Sequence, residues 1–156
     1  MTIAAEETEL GELRRRLEEA EETLRAIRSG EVDALVVEGA GGLLSPLAAD
    51  CTVCDLAIAL GLPVVIAARA GLGTINHSLL TVRAARGAGL DVRAVVLTPW
   101  PAEPTDLQRS NRDTIARMGD VEVAGLPSVD GPSPGELAGA GRALAWRRWL
   151  TSCRAP

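Results

Sequence analysis

The sequence predicts an α/β domain on a mostly parallel sheet, preceded by a charged heptad helix, and three observations point there. Val64 to Ala68 is a short apolar run with no polar interruption, the pattern of a strand covered on both faces in a parallel sheet. Gly71 and Gly73 follow it, and Leu79, Leu80, Val82 and Ala85 then fall at helix-like intervals. Upstream, Leu10, Leu13, Leu17, Ala20, Leu24 and Ile27 step alternately by three and four residues, an a/d seam in a charged segment.

Composition narrows the function classes. A chain of 156 residues is long enough for one domain with a real core. With three Trp and no Phe or Tyr, that core must be built from Leu, Val, Ile and Ala, and few rings remain to stack on bases. A net charge of -5 gives no general attraction to phosphate backbones, so no nucleic acid partner is expected. No apolar run reaches the roughly 18–20 residues that cross a bilayer, and the acidic N-terminus is unlike a signal peptide. The expected setting is cytoplasmic, with no membrane partner. All 16 basic residues are Arg and none is Lys, which excludes a Schiff-base lysine and any G-x-x-x-x-G-K-[ST] loop within these residues. Phosphate contacts must come from Arg, backbone amides or a metal.

In chain order, residues 1–30 form the expected acidic amphipathic helix, ended by Ser29-Gly30, and residues 31–156 the α/β domain. Residues 1–33 carry ten acidic side chains against five Arg. So short a seam is marginal alone and needs a second chain or a docking surface. Ala34 to Val37 reads as a strand, ended by Glu38 and the cluster Gly39-Ala40-Gly41-Gly42. A carboxylate at the carboxyl end of a parallel strand, followed by flexible backbone, suits a divalent metal or a nucleotide phosphate. The same residues also suit a plain turn after an edge strand. Leu43 to Leu47 reads as a loop, Val53 to Leu60 as a short helix, and Gly61-Leu62-Pro63 restarts the sheet.

After the strand at Val64, Thr74 is the expected N-cap of the next helix. A helix N-terminus there presents free N–H groups at the carboxyl edge of the sheet, where anions are held with roughly 0.3–1 kcal/mol per exposed charge. An ordinary βα connection has the same local pattern. Leu90 to Leu97 reads as the following strand, ending at Thr98-Pro99-Trp100-Pro101. Asp106 to Met118 reads as a helix with Leu107, Ile115 and Met118 on its apolar side, and Val121 to Val123 as a last strand. Pro132-Ser133-Pro134 opens a closing helix over Leu137 to Leu150, packed on the sheet by Trp146 and Trp149. Cys51 and Cys54 form C-x-x-C, but zinc needs two more ligands and only Cys153 and His77 offer themselves, so the thiols are expected to stay reduced. His77, just inside its helix, is expected to be a structural hydrogen-bonder.

Two resemblances follow. Leu24 to Val37 resembles the linker that leads into PAS sensor domains. From about Asp33 to Leu150, Val37-Glu38-Gly39-Ala40-Gly41-Gly42-Leu43-Leu44, Asp55-Leu56-Ala57, Leu62-Pro63-Val64-Val65 and above all Gly71-Leu72-Gly73-Thr74-Ile75-Asn76-His77 resemble the second half of dethiobiotin synthetase. That resemblance implies a partial doubly wound sheet of the P-loop ATPase type. It further implies a homodimer in biotin synthesis that uses ATP, magnesium and carbon dioxide to close the ureido ring on 7,8-diaminononanoate. By the same resemblance Glu38 is a magnesium ligand, and Gly39, Ala40, Gly41, Gly42, Trp100, Gly125, Leu126 and Pro127 contact the nucleotide. Gly73, Thr74, Ile75 and Asn76 hold the substrate carboxylate. The family's phosphate loop and its lysines have no counterpart in these residues, so no catalytic side chain is identifiable and the chain is expected to be inactive alone, completed by a separate phosphate-loop chain. The alternative is a non-catalytic dimerisation or interaction module, or a fusion remnant.

Overall fold

The computed structural model describes residues 36–129, 131 and 133–150; the heptad helix, the PAS-like linker up to Leu35, and Cys153 lie outside them. The chain divides into two compact units, residues 1–38 and 39–156, and the fold described below belongs to the second. Among the described residues no helix is long and apolar enough to cross a membrane.

The second unit opens with a small antiparallel pair, β1 (Pro46–Ala48) and β2 (Cys51–Thr52), where a loop was expected. Helix α1 (Val53–Leu60) follows with the expected bounds. A capping box starts it: Thr52 N and Oγ1 donate to Asp55 Oδ2 at 2.8 and 2.6 Å, and Asp55 N donates back to Thr52 Oγ1 at 3.3 Å. These bonds hold the Asp55 carboxyl below its ordinary value. Gly61, at φ 62°, closes the helix in the left-handed conformation that glycine adopts without a steric penalty.

Three parallel strands follow in the order β3 (Val64–Ala68), β4 (Val92–Leu97) and β5 (Glu122–Gly125). Helix α2 (Thr74–Gly87) joins the first two, and α3 (Asp106–Gly119) the last two. Strand alternation divides the sheet into two faces. Ile66, Val95 and Leu97 pack with Val82 of α2 and Ile115 of α3 into the main core, and these two helices cover that face. On the other face Ala94 and Val96 pack against Trp149. The sheet is thus the expected parallel α/β arrangement with helices on both sides.

Several boundaries differ from expectation for physical reasons. Val36 and Val37 are irregular and exposed, not the end of a strand. A strand exists only through a ladder partner, and among the described residues β3 pairs with β4 alone. For the same reason β3 is not covered on both faces: Ile66 is buried, but Val65 is 43 % exposed and Ala67 is also exposed. Leu90 and Asp91 precede β4 instead of starting it, and β5 starts one residue later and ends two residues later than expected, with buried Val121 just before it.

The apolar stripes also move. In α2, Leu79, Val82 and Ala85 are buried but Leu80 is exposed. In α3 the buried residues are Asn111, Ile115 and Gly119, one turn apart, while Leu107 and Met118 face solvent. The closing helix is two helices, α4 (Pro134–Gly141) and α5 (Trp146–Leu150), because residues 142–145 form a turn. Ser133 caps α4 by accepting from Glu136 N. Trp149 packs on the sheet as expected; Trp146 is absent from that cluster and 43 % exposed, with the Arg147 guanidinium 4.6 Å from its ring centroid.

Candidate functional site

The carboxyl ends of β3, β4 and β5 carry Gly73 to Asn76, Trp100 and Gly125 to Pro127 among the residues singled out by sequence. After β3, Gly71 O accepts from Thr74 N at 3.3 Å, so Gly71, Leu72, Gly73 and Thr74 form a tight turn. Gly73, at φ 87° and ψ -12°, occupies the position where such turns require glycine. It is also the N-cap of α2, which corrects the expectation for Thr74. Thr74 is instead the first helical residue, buried, with its Oγ1 3.5 Å from Ser78 Oγ. Gly73 O accepts from His77 N at 3.2 Å. The Ile75 and Asn76 amides have no carbonyl one turn back in the helix and bond no other described group, so they stay open for an acceptor. Leu72, 94 % exposed, projects at the tip of the turn.

His77 is not the hydrogen-bonder expected: its side chain bonds to no described residue, and its Cε1 lies 3.8 Å from where a Cβ on Gly73 would sit. Its backbone carbonyl accepts from Thr81 Oγ1 at 2.9 Å.

The glycine loop is held from α3. Asn111, 5 % exposed, donates through Nδ2 to Ala70 O at 3.2 Å and to Gly71 O at 3.3 Å. Sequence reasoning missed this residue. Its signal was a lone polar side chain four residues before Ile115 on the buried stripe of α3.

At the ends of β4 and β5, Trp100, Gly125 and Leu126 come together. Trp100 N donates to Leu126 O at 2.8 Å, and Leu126 N donates to Leu97 O at 2.9 Å. The indole lies so close to Gly125 that a Cβ there would sit 2.5 Å from Trp100 Cγ. The Arg112 guanidinium is 5.6 Å from the ring centroid, a cation–π contact unforeseen from sequence. Pro127 follows, exposed.

The segment Gly39–Gly42 leads into the N-terminus of α1: Leu43 O accepts from Cys54 N at 2.8 Å, and Ser45 O from Val53 N at 3.0 Å. Gly39 lies against Val53, where a Cβ would be 2.5 Å from Cγ1, and Gly41 and Gly42 have φ of 87° and 109°. Glu38 is exposed. Among the described residues no three His, Cys, Asp or Glu side chains gather into a metal site, and Cys51 and Cys54 are free thiols. The exposed Glu38 carboxylate is an oxygen donor of the kind magnesium takes.

This is a parallel α/β domain, with open helix amides and a glycine-packed tryptophan at the carboxyl edge of its sheet. A family model described as an AAA domain matches residues 9–131, and the chain belongs to that family. Its relatives are ATP-dependent dethiobiotin synthetases, as the glycine-to-histidine motif led one to expect. That of Rhodococcus jostii (strain RHA1) is 46 % identical over 132 residues, covering 84 % of this chain and 55 % of the relative. That of Anaeromyxobacter sp. (strain Fw109-5) is 47 % identical over 98 residues, or 57 % of this chain and 44 % of the relative. The synthetase of Methanocaldococcus jannaschii is 38 % identical over 122 residues, or 75 % and 53 %. The chain spans about half the length of the curated relatives it matches.

Proposed function

We propose that this chain is the substrate-holding part of a dethiobiotin synthetase: it binds the carboxylate of 7,8-diaminononanoate at the N-terminus of α2 and contributes part of an ATP and magnesium site. The observation that carries this reading is the open pair of amides on Ile75 and Asn76, behind the Gly73 turn, at the carboxyl edge of a parallel sheet. An anion there gains the helix-terminal dipole and two N–H donors without needing a lysine. Trp100, Gly125, Leu126 and Pro127 would line the nucleotide, and Glu38 would supply one magnesium ligand beside Gly39 to Gly42.

Turnover by these residues alone is not part of the proposal. Phosphoryl transfer relies on cationic and amide stabilisation around the phosphates, and a chain without lysine lacks the phosphate-loop cation. A separate phosphate-loop chain would supply it, and the outer edge of β3, which has no partner strand among the described residues, supports a neighbour there. A homodimer working in the cytoplasm completes the reading.

Calorimetric titration tests it. The folded chain should bind 7,8-diaminononanoate, and Mg-ATP more weakly, with no ADP released from the pair. Absence of heat with both ligands, in protein that melts cooperatively, would overturn the proposal.

A further inference from the structure

Asn111 is buried on α3, about forty residues from the loop it touches, and its amide nitrogen donates to that loop at two carbonyls, Ala70 O at 3.2 Å and Gly71 O at 3.3 Å. Two carbonyl acceptors fix which end of the amide faces the loop, since an oxygen there would oppose two others. Gly71 O also accepts from Thr74 N, so this carbonyl is held from within the turn and from α3. The turn holds Gly73 at φ 87°, and Gly73 is the residue that starts α2 and leaves the Ile75 and Asn76 amides open. A carbonyl oxygen carries partial negative charge; left free beside a helix N-terminus it competes with, and repels, an arriving anion.

We infer that Asn111 is a positioning residue for carboxylate binding: by drawing the Ala70 and Gly71 carbonyls onto α3, it sets the turn that presents the Ile75 and Asn76 amides. It acts through the loop and does not touch the ligand. The inference rests on the reading of the α2 N-terminus as a carboxylate site. Its chemistry is specific. Two donors are needed at one atom, which Asp does not offer; Ser and Thr offer one, from a shorter side chain.

The experiment is calorimetry of the full chain with 7,8-diaminononanoate and with its methyl ester, in the unsubstituted protein and in Asn111→Ser. The unsubstituted protein should bind the free acid at least about tenfold more tightly than the ester, the scale of one charge-assisted hydrogen bond. Asn111→Ser should weaken the free acid about tenfold and leave the ester unchanged, so that the discrimination disappears while the thermal transition stays cooperative. Unchanged affinity for the acid in Asn111→Ser overturns the inference, as does an equal loss for acid and ester, which marks general loosening of the fold. If the unsubstituted protein treats acid and ester alike, or binds neither, the carboxylate reading itself has failed, and that result needs no variant. Should Asn111→Ser not fold, Asn111→Thr, with one donor and more volume, is judged by the same criteria.

Discussion

The indole Nε1 of Trp149 donates to Glu122 Oε2 at 3.0 Å, and Arg148 donates to the same oxygen at 2.5 Å. Two consecutive residues of α5 thereby grip the first residue of β5, and Trp149 is driven under the Ala94 and Val96 face of the sheet. The Trp149 bond, with the Arg148 hydrogen bond and charge behind it, holds the Glu122 carboxyl below its ordinary value of 4.5.

A folded carboxyl with a lowered pKa stabilises the fold above its unfolded pKa and loses that contribution as pH falls through the folded value. Between pH 7 and 5, Glu122→Gln should therefore cost about 1 kcal/mol, the scale of a partly exposed charge-assisted bond. Below about pH 4.5 the gap between the two proteins should narrow, because the unsubstituted carboxyl then takes up its proton. Thermal melts at several pH values, read by tryptophan fluorescence, check this. A constant gap down to pH 3 would contradict it.

Gly125 exists to admit Trp100. A methyl group there would sit 2.5 Å from the indole Cγ and 2.7 Å from Cδ1, so the ring must move. Gly125→Ala should destabilise by about 1–3 kcal/mol, the usual range for overpacking. Urea titration should show a lower midpoint with an unchanged slope, and the fluorescence maximum should shift as the ring leaves its place beside Arg112. A variant as stable as the parent would show that the indole relocates freely.

Gly73 differs in kind, since space is not its constraint: the nearest atom to an added Cβ is His77 Cε1 at 3.8 Å, an ordinary contact. The backbone at φ 87° is what an L-residue resists. Gly73→Ala should cost about 1–2 kcal/mol, and Gly73→Asn less, because Asn tolerates the left-handed region and caps helices. Chemical denaturation of the two variants tests the order, and an Ala variant equal to or better than Asn would refute the backbone account.

The elements legible in the sequence were those whose cause is local. The bounds of α1 and β3 follow from Thr52 with Asp55, from Gly61, and from an uninterrupted apolar run flanked by breakers. Three features depend on remote partners and were not legible. The run Val64 to Ala68 shows composition but not that one sheet face over β3 would lie open at Val65 and Ala67. Leu107 and Met118 looked like core, yet α3 turns Asn111, Ile115 and Gly119 inward, Ile115 into the main core and Asn111 onto the loop carbonyls after β3. The Glu122 grip joins residues 26 and 27 positions apart, beyond the reach of any periodicity. At the site, the glycine turn was legible as a motif, while its tether and the Arg112 contact with Trp100 were not.

Arg86 tests whether α2 and α3 are fastened as a pair. At the last turn of α2 its Nη1 donates to Gly119 O at 2.6 Å and its Nη2 to Asp120 O at 2.8 Å, satisfying two carbonyls at the end of α3. Asn111, nearer the start of α3, fastens that helix to the loop before α2. A lysine reaches one carbonyl but lacks the forked donors that reach two, so Arg86→Lys should recover only part of the roughly 1–2 kcal/mol lost in Arg86→Ala. On α3 the two anchor points, Asn111 and Gly119, lie eight residues apart, about 12 Å at 1.5 Å per residue. Losses from Arg86→Ala and Asn111→Ser should then add to within about 0.5 kcal/mol in a double-mutant cycle by urea denaturation. A coupling above about 1 kcal/mol would mean that the helix pair loosens as one unit, so that freeing either end frees the glycine turn as well.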